Sequence, residues 1–356
     1  PGLPQMLTSG GCVTPADFDG DGDMDLFVGG RLTPGKYLKA PRSYLLQNTP
    51  NGYVDVTEKF APELKNIGMV TSATWTDYDK NGKPDLILTG EWMPITVFTN
   101  DGQSLKNQTV AVGLDKTNGW WNKIVSADFD NDGDMDFVAG NLGLNYKYKA
   151  SAEEPFKVYC DDFDDNGKWD IVLGYYQKGI EYPLRGRQCS SEQLPSIEQK
   201  FPTYAAFASS DIEDVYGDQL ETAIQGKVYE FRSVYIENQN GKFVAKPLPN
   251  RAQIAPIQGI VSDDFDGDGH LDILVAGNLY VSEVETGAAD AGIGLYLRGD
   301  GKGNFTPVAP MDCGIFANLD VRDLALVKSK SGKATVVVGN NNNRLQAFGY
   351  QEKVVN

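Results

Sequence analysis

Asp17, Asp19, Asp21 and Asp25 stand at alternating positions in the stretch ADFDGDGDMDLFVGG, residues 16–30. Two carboxylates about 5 Å apart repel by roughly 3 kcal/mol at an effective dielectric near 20. A folded chain that concentrates acid in this way needs a cation to relieve it. The pattern returns as TDYDKNGKPDLILTG (76–90), ADFDNDGDMDFVAG (127–140), DDFDDNGKWDIVLG (161–174) and DDFDGDGHLDILVAG (263–277). The shared template is D-aromatic-D-x-[DN]-G-x-x-D followed by an apolar run.

Calcium takes six to eight hard oxygen ligands in a flexible shell. Loop positions 1, 3 and 5 offer side-chain oxygens: Asp17, Asp19 and Asp21; Asp77, Asp79 and Asn81; Asp128, Asp130 and Asp132; Asp162, Asp164 and Asn166; Asp264, Asp266 and Asp268. Position 7 would give its main-chain carbonyl, at Asp23, Lys83, Asp134, Lys168 and His270. Position 9 adds a carboxylate at Asp25, Asp85, Asp136, Asp170 and Asp272. Position 6 is glycine in all copies (Gly22, Gly82, Gly133, Gly167, Gly269), as a sharp turn with positive φ requires. The chemistry is therefore calcium binding at up to five sites. Magnesium, with its rigid octahedron and retained waters, suits these loops less well.

The elements that position the loops follow from their flanks. An EF-hand needs a bidentate Glu at position 12 and a helix on each side. Position 12 holds Val28, Leu88, Ala139, Leu173 and Val275, and each loop runs into a short β-rich segment closed by glycine. These runs are apolar on consecutive residues, so both faces of each strand are expected to be buried. The aromatic at position 2 (Phe18, Tyr78, Phe129, Phe163, Phe265) adds a core anchor to each unit. Hairpin chemistry follows in SYLLQNTPNGYVDVT, PITVFTNDGQSLKNQ, SVYIENQNGKFVAKP and GLYLRGDGKGNFTPV. One unit thus reads strand, calcium loop, strand, strand, turn, strand. Repeated four-stranded sheets buried on both faces describe an all-β protein, a β-propeller in a single domain over residues 1–356.

The first Asp of the template falls at 17, 77, 128, 162 and 264, so the last interval has room for a unit without its loop. A further copy at 321–340 keeps its strands and lacks the acidic loop. The length suits seven blades, while the recognisable units number six. Residues 186–220 break the pattern and predict a partly helical insertion, with Tyr204, Phe207, Ala208, Ile212 and Val215 near one face and a stop at Gly217. Such an insertion either carries function or covers an exposed sheet edge.

The five loops resemble FG-GAP/VCBS repeats, the calcium-loop units of integrin α-subunit propellers and of many bacterial surface proteins. Phrases such as GEWMPITVF, GWWNKIVSADFDNDGDMDFVAGNLGLN and QNGKFVAKPLP are similar to bacterial secreted proteins in which such propellers accompany an ASPIC/UnbV module. The likeness to integrins is confined to the calcium half of the repeat. The resemblance implies a secreted, periplasmic or cell-surface location and a role in binding or scaffolding.

Composition narrows the function. Of 356 residues 41% are apolar, as in a globular chain, and the net charge of −17 disfavours nucleic acid, which needs a basic face. No apolar run is long enough to span a membrane. The opening PGLPQM, without an initiator Met or a signal-like segment, reads as part of a longer multidomain chain. Cys12, Cys160, Cys189 and Cys313 form no CxxC pair; a Cys12–Cys313 disulfide and free thiols are both compatible with their spacing. The single histidine, His270, already sits in a loop, which argues against Ser-His-Asp, Cys-His and His-metal catalysis. The clustered aspartates are claimed by calcium. Trp92, Trp120 and Trp121 could present a stacking platform for a ligand, although packing between sheets is the favoured use. The expectation is a calcium-binding, non-enzymatic module for a protein or glycan. The alternative is a calcium-assisted polysaccharide lyase or another carbohydrate-active enzyme on the same scaffold.

Overall fold

The computed structural model describes residues 2–282, 286–330 and 333–351. The protein is mostly β, built from several four-stranded antiparallel sheets. The first sheet comprises Ser9–Ala16, Asp25–Leu32, Tyr44–Gln47 and Val54–Asp55 in chain order. The second comprises Met69–Thr76, Asp85–Met93, Thr96–Asn100 and Leu105–Asn107, with Gly119–Trp120 paired beside Asp85–Met93. The third joins Lys123–Ala127 and Asp136–Gly140 to Val234–Asn238 and Phe243–Pro247. The fourth comprises Gly259–Asp263, Asp272–Ala276, Leu295–Gly299 and Phe305–Val308. The fifth has three strands, Val321–Lys328, Lys333–Asn340 and Gln346–Gln351.

Alternation along the second strand of each sheet explains the continuous apolar runs. Leu86 and Leu88 pack with Phe18, Phe27 and Leu45 of the first sheet, while Ile87 packs with Ile124 and Phe137 of the third. Val138 turns the other way, to Ile260, Ile273 and Leu297 of the fourth sheet, and Leu274 faces Val321 and Val336 of the fifth. The core is thus a series of layers between successive sheets, a propeller-like arrangement. Backbones approach closely in these layers: a Cβ on Gly11 would meet the Val70 carbonyl oxygen at 2.1 Å. All four expected hairpins form.

The number of sheets equals the six recognisable units of the sequence, but their arrangement is not a simple succession. The described residues form six sheets, five in succession and one inserted between the second and third strands of the third sheet. The inserted sheet is ordered Ile180–Pro183, Asp170–Gln177, Phe156–Asp161, Ile224–Val228, and it carries the fourth acidic loop. This accounts for the uneven spacing of the loops. The long last interval does not hold a loopless unit; it holds helices, the last strand of the insert and the second half of the third sheet. The helical segment is five short helices, Arg187–Gln193, Ser196–Lys200, Tyr204–Ala208, Ile212–Tyr216 and Gln219–Thr222. Leu194, Ile197, Phe201, Phe207, Ile212 and Val215 pack on Tyr159, Phe163 and Val172, so the helices cover a face of the inserted sheet. Tyr204 stays exposed over Arg187, and Gly217 ends its helix at φ 68°. The 321–340 copy forms the first two strands of the fifth sheet, as its pattern predicts.

Candidate metal centres

Each acidic loop joins the first strand of a sheet to the second, except in the insert, where it joins Phe156–Asp161 to Asp170–Gln177. The backbone organises the carboxylates before any ion is considered. The glycine at position 6 has φ between 80° and 96° in all five loops. Its amide donates to the first-position Asp: Gly22 to Asp17 at 3.0 Å, Gly82 to Asp77 at 2.8 Å, Gly133 to Asp128 at 3.0 Å, Gly167 to Asp162 at 2.7 Å and Gly269 to Asp264 at 2.9 Å.

The ninth-position Asp is the most deeply held member. Its Oδ2 accepts from the amide of the position-2 aromatic: Phe18, Tyr78, Phe129, Phe163 and Phe265, at 3.0–3.2 Å. In four loops its Oδ1 also accepts from an amide at or just after the end of the third strand, that of Asn48, Asn100, Asn238 or Gly299, at 2.7–2.8 Å. Asp25, Asp85, Asp136, Asp170 and Asp272 are all buried. Burial pushes Asp25 and Asp136 up to about 6 and Asp85 up to about 7, and raises Asp170 and Asp272 as well. A carboxylate held in this environment favours a nearby cation.

Positions 1, 3 and 9 converge. Asp17, Asp19 and Asp25 bring ligand oxygens within 4.8 Å of one another, as do Asp77, Asp79 and Asp85; Asp128, Asp130 and Asp136; Asp162, Asp164 and Asp170; and Asp264, Asp266 and Asp272. The donor set fits a hard divalent cation, and two of its oxygens are otherwise unexplained. Asp128 Oδ1 and Asp266 Oδ1 are buried with no hydrogen-bond partner, a state that costs about 1–3 kcal/mol without a compensating ligand. Bound calcium would supply charge compensation and bridge the start of the second strand to the loop.

Position 5 also shapes the loop. Its side chain accepts from the position-7 amide: Asp21 from Asp23, Asn81 from Lys83, Asp132 from Asp134, Asn166 from Lys168 and Asp268 from His270, at 2.7–3.1 Å. This Asx turn stabilises the loop's bend. Two position-7 side chains link separate loops: Asp134 is ion-paired with Lys80, and His270 Nδ1 lies 3.0 Å from Asn131 Nδ2.

The tryptophans do not form an exposed platform. Trp121 is 1% and Trp92 7% exposed; Trp121 packs in the layer between the second and third sheets, while Trp92 stacks on Phe156 of the insert. The sequence showed the indoles but not the inserted sheet that covers Trp92. Trp120 remains half-buried at a cavity of about 670 Å³ lined by the first strands of all five successive sheets. Arg31, Glu91, Asn122, Lys123, Gln258 and Asp323 contribute its polar groups, and Lys123 Nζ reaches Asp323 at 2.8 Å. No short motif announces this site, because its residues come from segments scattered along the chain. Cys12 and Cys313 are free thiols, so the disulfide between them does not form. No helix among the described residues is long and apolar enough to cross a membrane.

A loop of this geometry, repeated on antiparallel sheets, defines a protein of acidic-loop β repeats. Residues 17–88 and 77–139 match the model of the FG-GAP-like repeat, so this part of the chain carries FG-GAP-like repeats. No curated protein sequence matches it. Among solved structures, the chain is similar to the V. cholerae biofilm matrix protein Bap1, at 11% identity and a TM-score of 0.35, covering 97% of this chain and 69% of that one. It is also similar to BBS1N in complex with ARL6DN, at 12% identity and a TM-score of 0.32, covering 97% and 93%. A third likeness is to the NanB sialidase from Streptococcus pneumoniae, at 11% identity and a TM-score of 0.32, covering 97% and 50%.

Proposed function

We propose that this protein is a calcium-stabilised β-propeller module that works outside the cytosol and binds a glycan or protein without chemically altering it. The observation that carries the reading is the fivefold convergence of carboxylates at loop positions 1, 3 and 9, with buried oxygens on Asp128 and Asp266 that lack partners. Calcium is structural in this reading: each ion joins loop to strand and offsets a cluster of like charge. Extracellular calcium modules bind in the range of about 10⁻⁴–10⁻³ M, which matches an exterior rich in calcium.

The ligand is taken at the cavity on the sheet axis. Its volume of about 670 Å³ is that of a small-molecule or saccharide site. One indole face at Trp120 and a surround of amides and ion-paired side chains suit a polyhydroxylated ligand. The test is a glycan array with and without calcium, repeated with Trp120→Ala. Binding that needs Trp120 and survives at saturating calcium supports the reading. Binding to no glycan in either condition rejects the glycan arm and leaves a protein ligand, to be sought with the same variant.

A second reading, a lyase or related enzyme, rests on one cluster in the insert. Lys157 Nζ lies 2.6 Å from Glu181 Oε2, and Tyr159 donates to Glu181 at 3.0 Å, beside a cleft of about 510 Å³. Burial and the Glu181 charge push Tyr159 up to about 12, so it keeps its proton at neutral pH and is a poor general base. Release of an unsaturated uronate from acidic polysaccharide, followed by ultraviolet absorbance, would establish the lyase in place of the binding module.

A further inference from the structure

The inference here rests on the calcium reading and concerns how the loops differ. In four sheets, one third-strand residue lies directly across from the ninth-position Asp. Leu26 pairs with Leu46, Leu86 with Phe98, Phe137 with Ile236 and Ile273 with Leu297. One step along each antiparallel pair, Asp25 faces Gln47, Asp85 faces Thr99, Asp136 faces Glu237 and Asp272 faces Arg298. The loop template is common to all four, whereas this facing residue is an amide, a hydroxyl, a carboxylate and a guanidinium in turn.

These side chains reach the metal trios or their anchors. Gln47 Nε2 donates to Asp19 Oδ2 at 2.5 Å, and Arg298 Nε lies 2.7 Å from Asp266 Oδ2. Thr99 Oγ1 is 2.5 Å from the Tyr78 hydroxyl. Glu237, opposite Asp136 in the strand register, adds a further carboxylate beside the third trio. Glu237 itself holds Lys246 Nζ at 2.9 Å and the Gln239 amide, which offsets part of its charge.

We propose that this cross-strand residue grades calcium affinity among the loops, with Arg298 making the fifth loop the last to fill and Glu237 tightening the third. A guanidinium bonded to a ligand carboxylate repels the incoming dication and draws on the same oxygens. A carboxylate at the same place attracts it. Gln47 and Thr99 carry no charge, so the first and second loops follow their own carboxylate complements. Asp266 is the residue with both an Arg298 bond on Oδ2 and an unpartnered Oδ1. That arrangement points one oxygen's need toward an ion while the other is held by a competitor.

Each loop carries its own reporter, the position-6 glycine amide bonded to its first Asp. A calcium titration followed by the ¹H–¹⁵N signals of Gly22, Gly82, Gly133 and Gly269 reads each midpoint separately. Arg298→Gln should tighten the Gly269 midpoint by about tenfold and leave the others in place, and Glu237→Gln should weaken the Gly133 midpoint by about threefold. Arg298→Lys, which keeps the charge, should stay close to the original protein. Unchanged signals away from the loops at saturating calcium show that the variants are folded. A Gly269 midpoint within about twofold of the original in Arg298→Gln, or a fifth loop that fills before the others, overturns the proposal alone. Glycine signals that never respond to calcium in the original protein overturn the calcium reading with it.

Discussion

At the scale of single residues, the ninth-position aspartates decide how the ion-free protein responds to pH. Asp85 is pushed up to about 7, and Asp25 and Asp136 to about 6, chiefly by burial. In the unfolded chain they titrate near 4, so between about pH 4 and 7 the folded state holds protons that the unfolded state has released. Stability of the calcium-free protein should therefore fall as pH rises through this window. Calcium binding removes the protons and the penalty, so the melting-temperature gap between calcium-loaded and calcium-free protein should widen from pH 4 to 7. A gap of constant size across that range would show that these carboxylates are not the ones calcium meets. Asp136→Asn should leave fold and pH response distinct: its hydrogen bonds from Asn238 and Tyr235 sit on oxygens that one amide nitrogen cannot fully replace. A loss of about 1–3 kcal/mol in urea unfolding is expected, larger in calcium than without it.

At the scale of elements, the sheets are stitched as well as packed. Asn100, at the end of the second sheet's third strand, donates Nδ2 to the Phe18 carbonyl of the first sheet's loop at 2.8 Å. Asn238 repeats the contact from the third sheet to the Tyr78 carbonyl at 2.9 Å. Both side chains are completely buried, and each also accepts from a turn amide, Gly102 or Gly241. Asn100→Ala and Asn238→Ala should each cost about 1–3 kcal/mol, because a buried carbonyl is left without its donor. The two sites lie at different sheet interfaces, so the double variant should be close to additive in urea melts. The fourth sheet has Gly299 at the matching place and makes no such stitch. There the link between loops passes through Asn131 and His270.

At the scale of the whole molecule, charge and calcium are coupled. Five bound calcium ions would take the net charge from −17 to −7. Removing calcium should lower the melting temperature sharply, and added salt should recover part of the loss by screening the exposed carboxylates while leaving the buried ones unrelieved. A melt indifferent to chelation would sink the structural role. Asp19→Ala and Asp130→Ala should lower stability more than they weaken any ligand's binding, since the loops enter the second strands at one end and the cavity residues Arg31 and Glu91 lie near the other.

Much of this protein follows from local chemistry. The nonapeptide template, its glycine with positive φ, the strand after each loop and the four hairpins are short-range features, and short-range sterics and hydrogen bonding specify them. The apolar runs likewise announce strands covered on both faces. What tertiary structure decided was which strands become neighbours. Asp162 to Asp170 carries the same signature as the other loops, yet its strands pair with Ile224–Val228 and Ile180–Pro183 in an inserted sheet. The third sheet is completed only by Val234–Asn238, far along the chain. Pairing between distant segments is set by packing of whole faces, which no local pattern encodes. The same reason hid Glu237 and Arg298 as neighbours of the metal trios, and buried Trp92 and Trp121 beneath residues that the sequence places elsewhere.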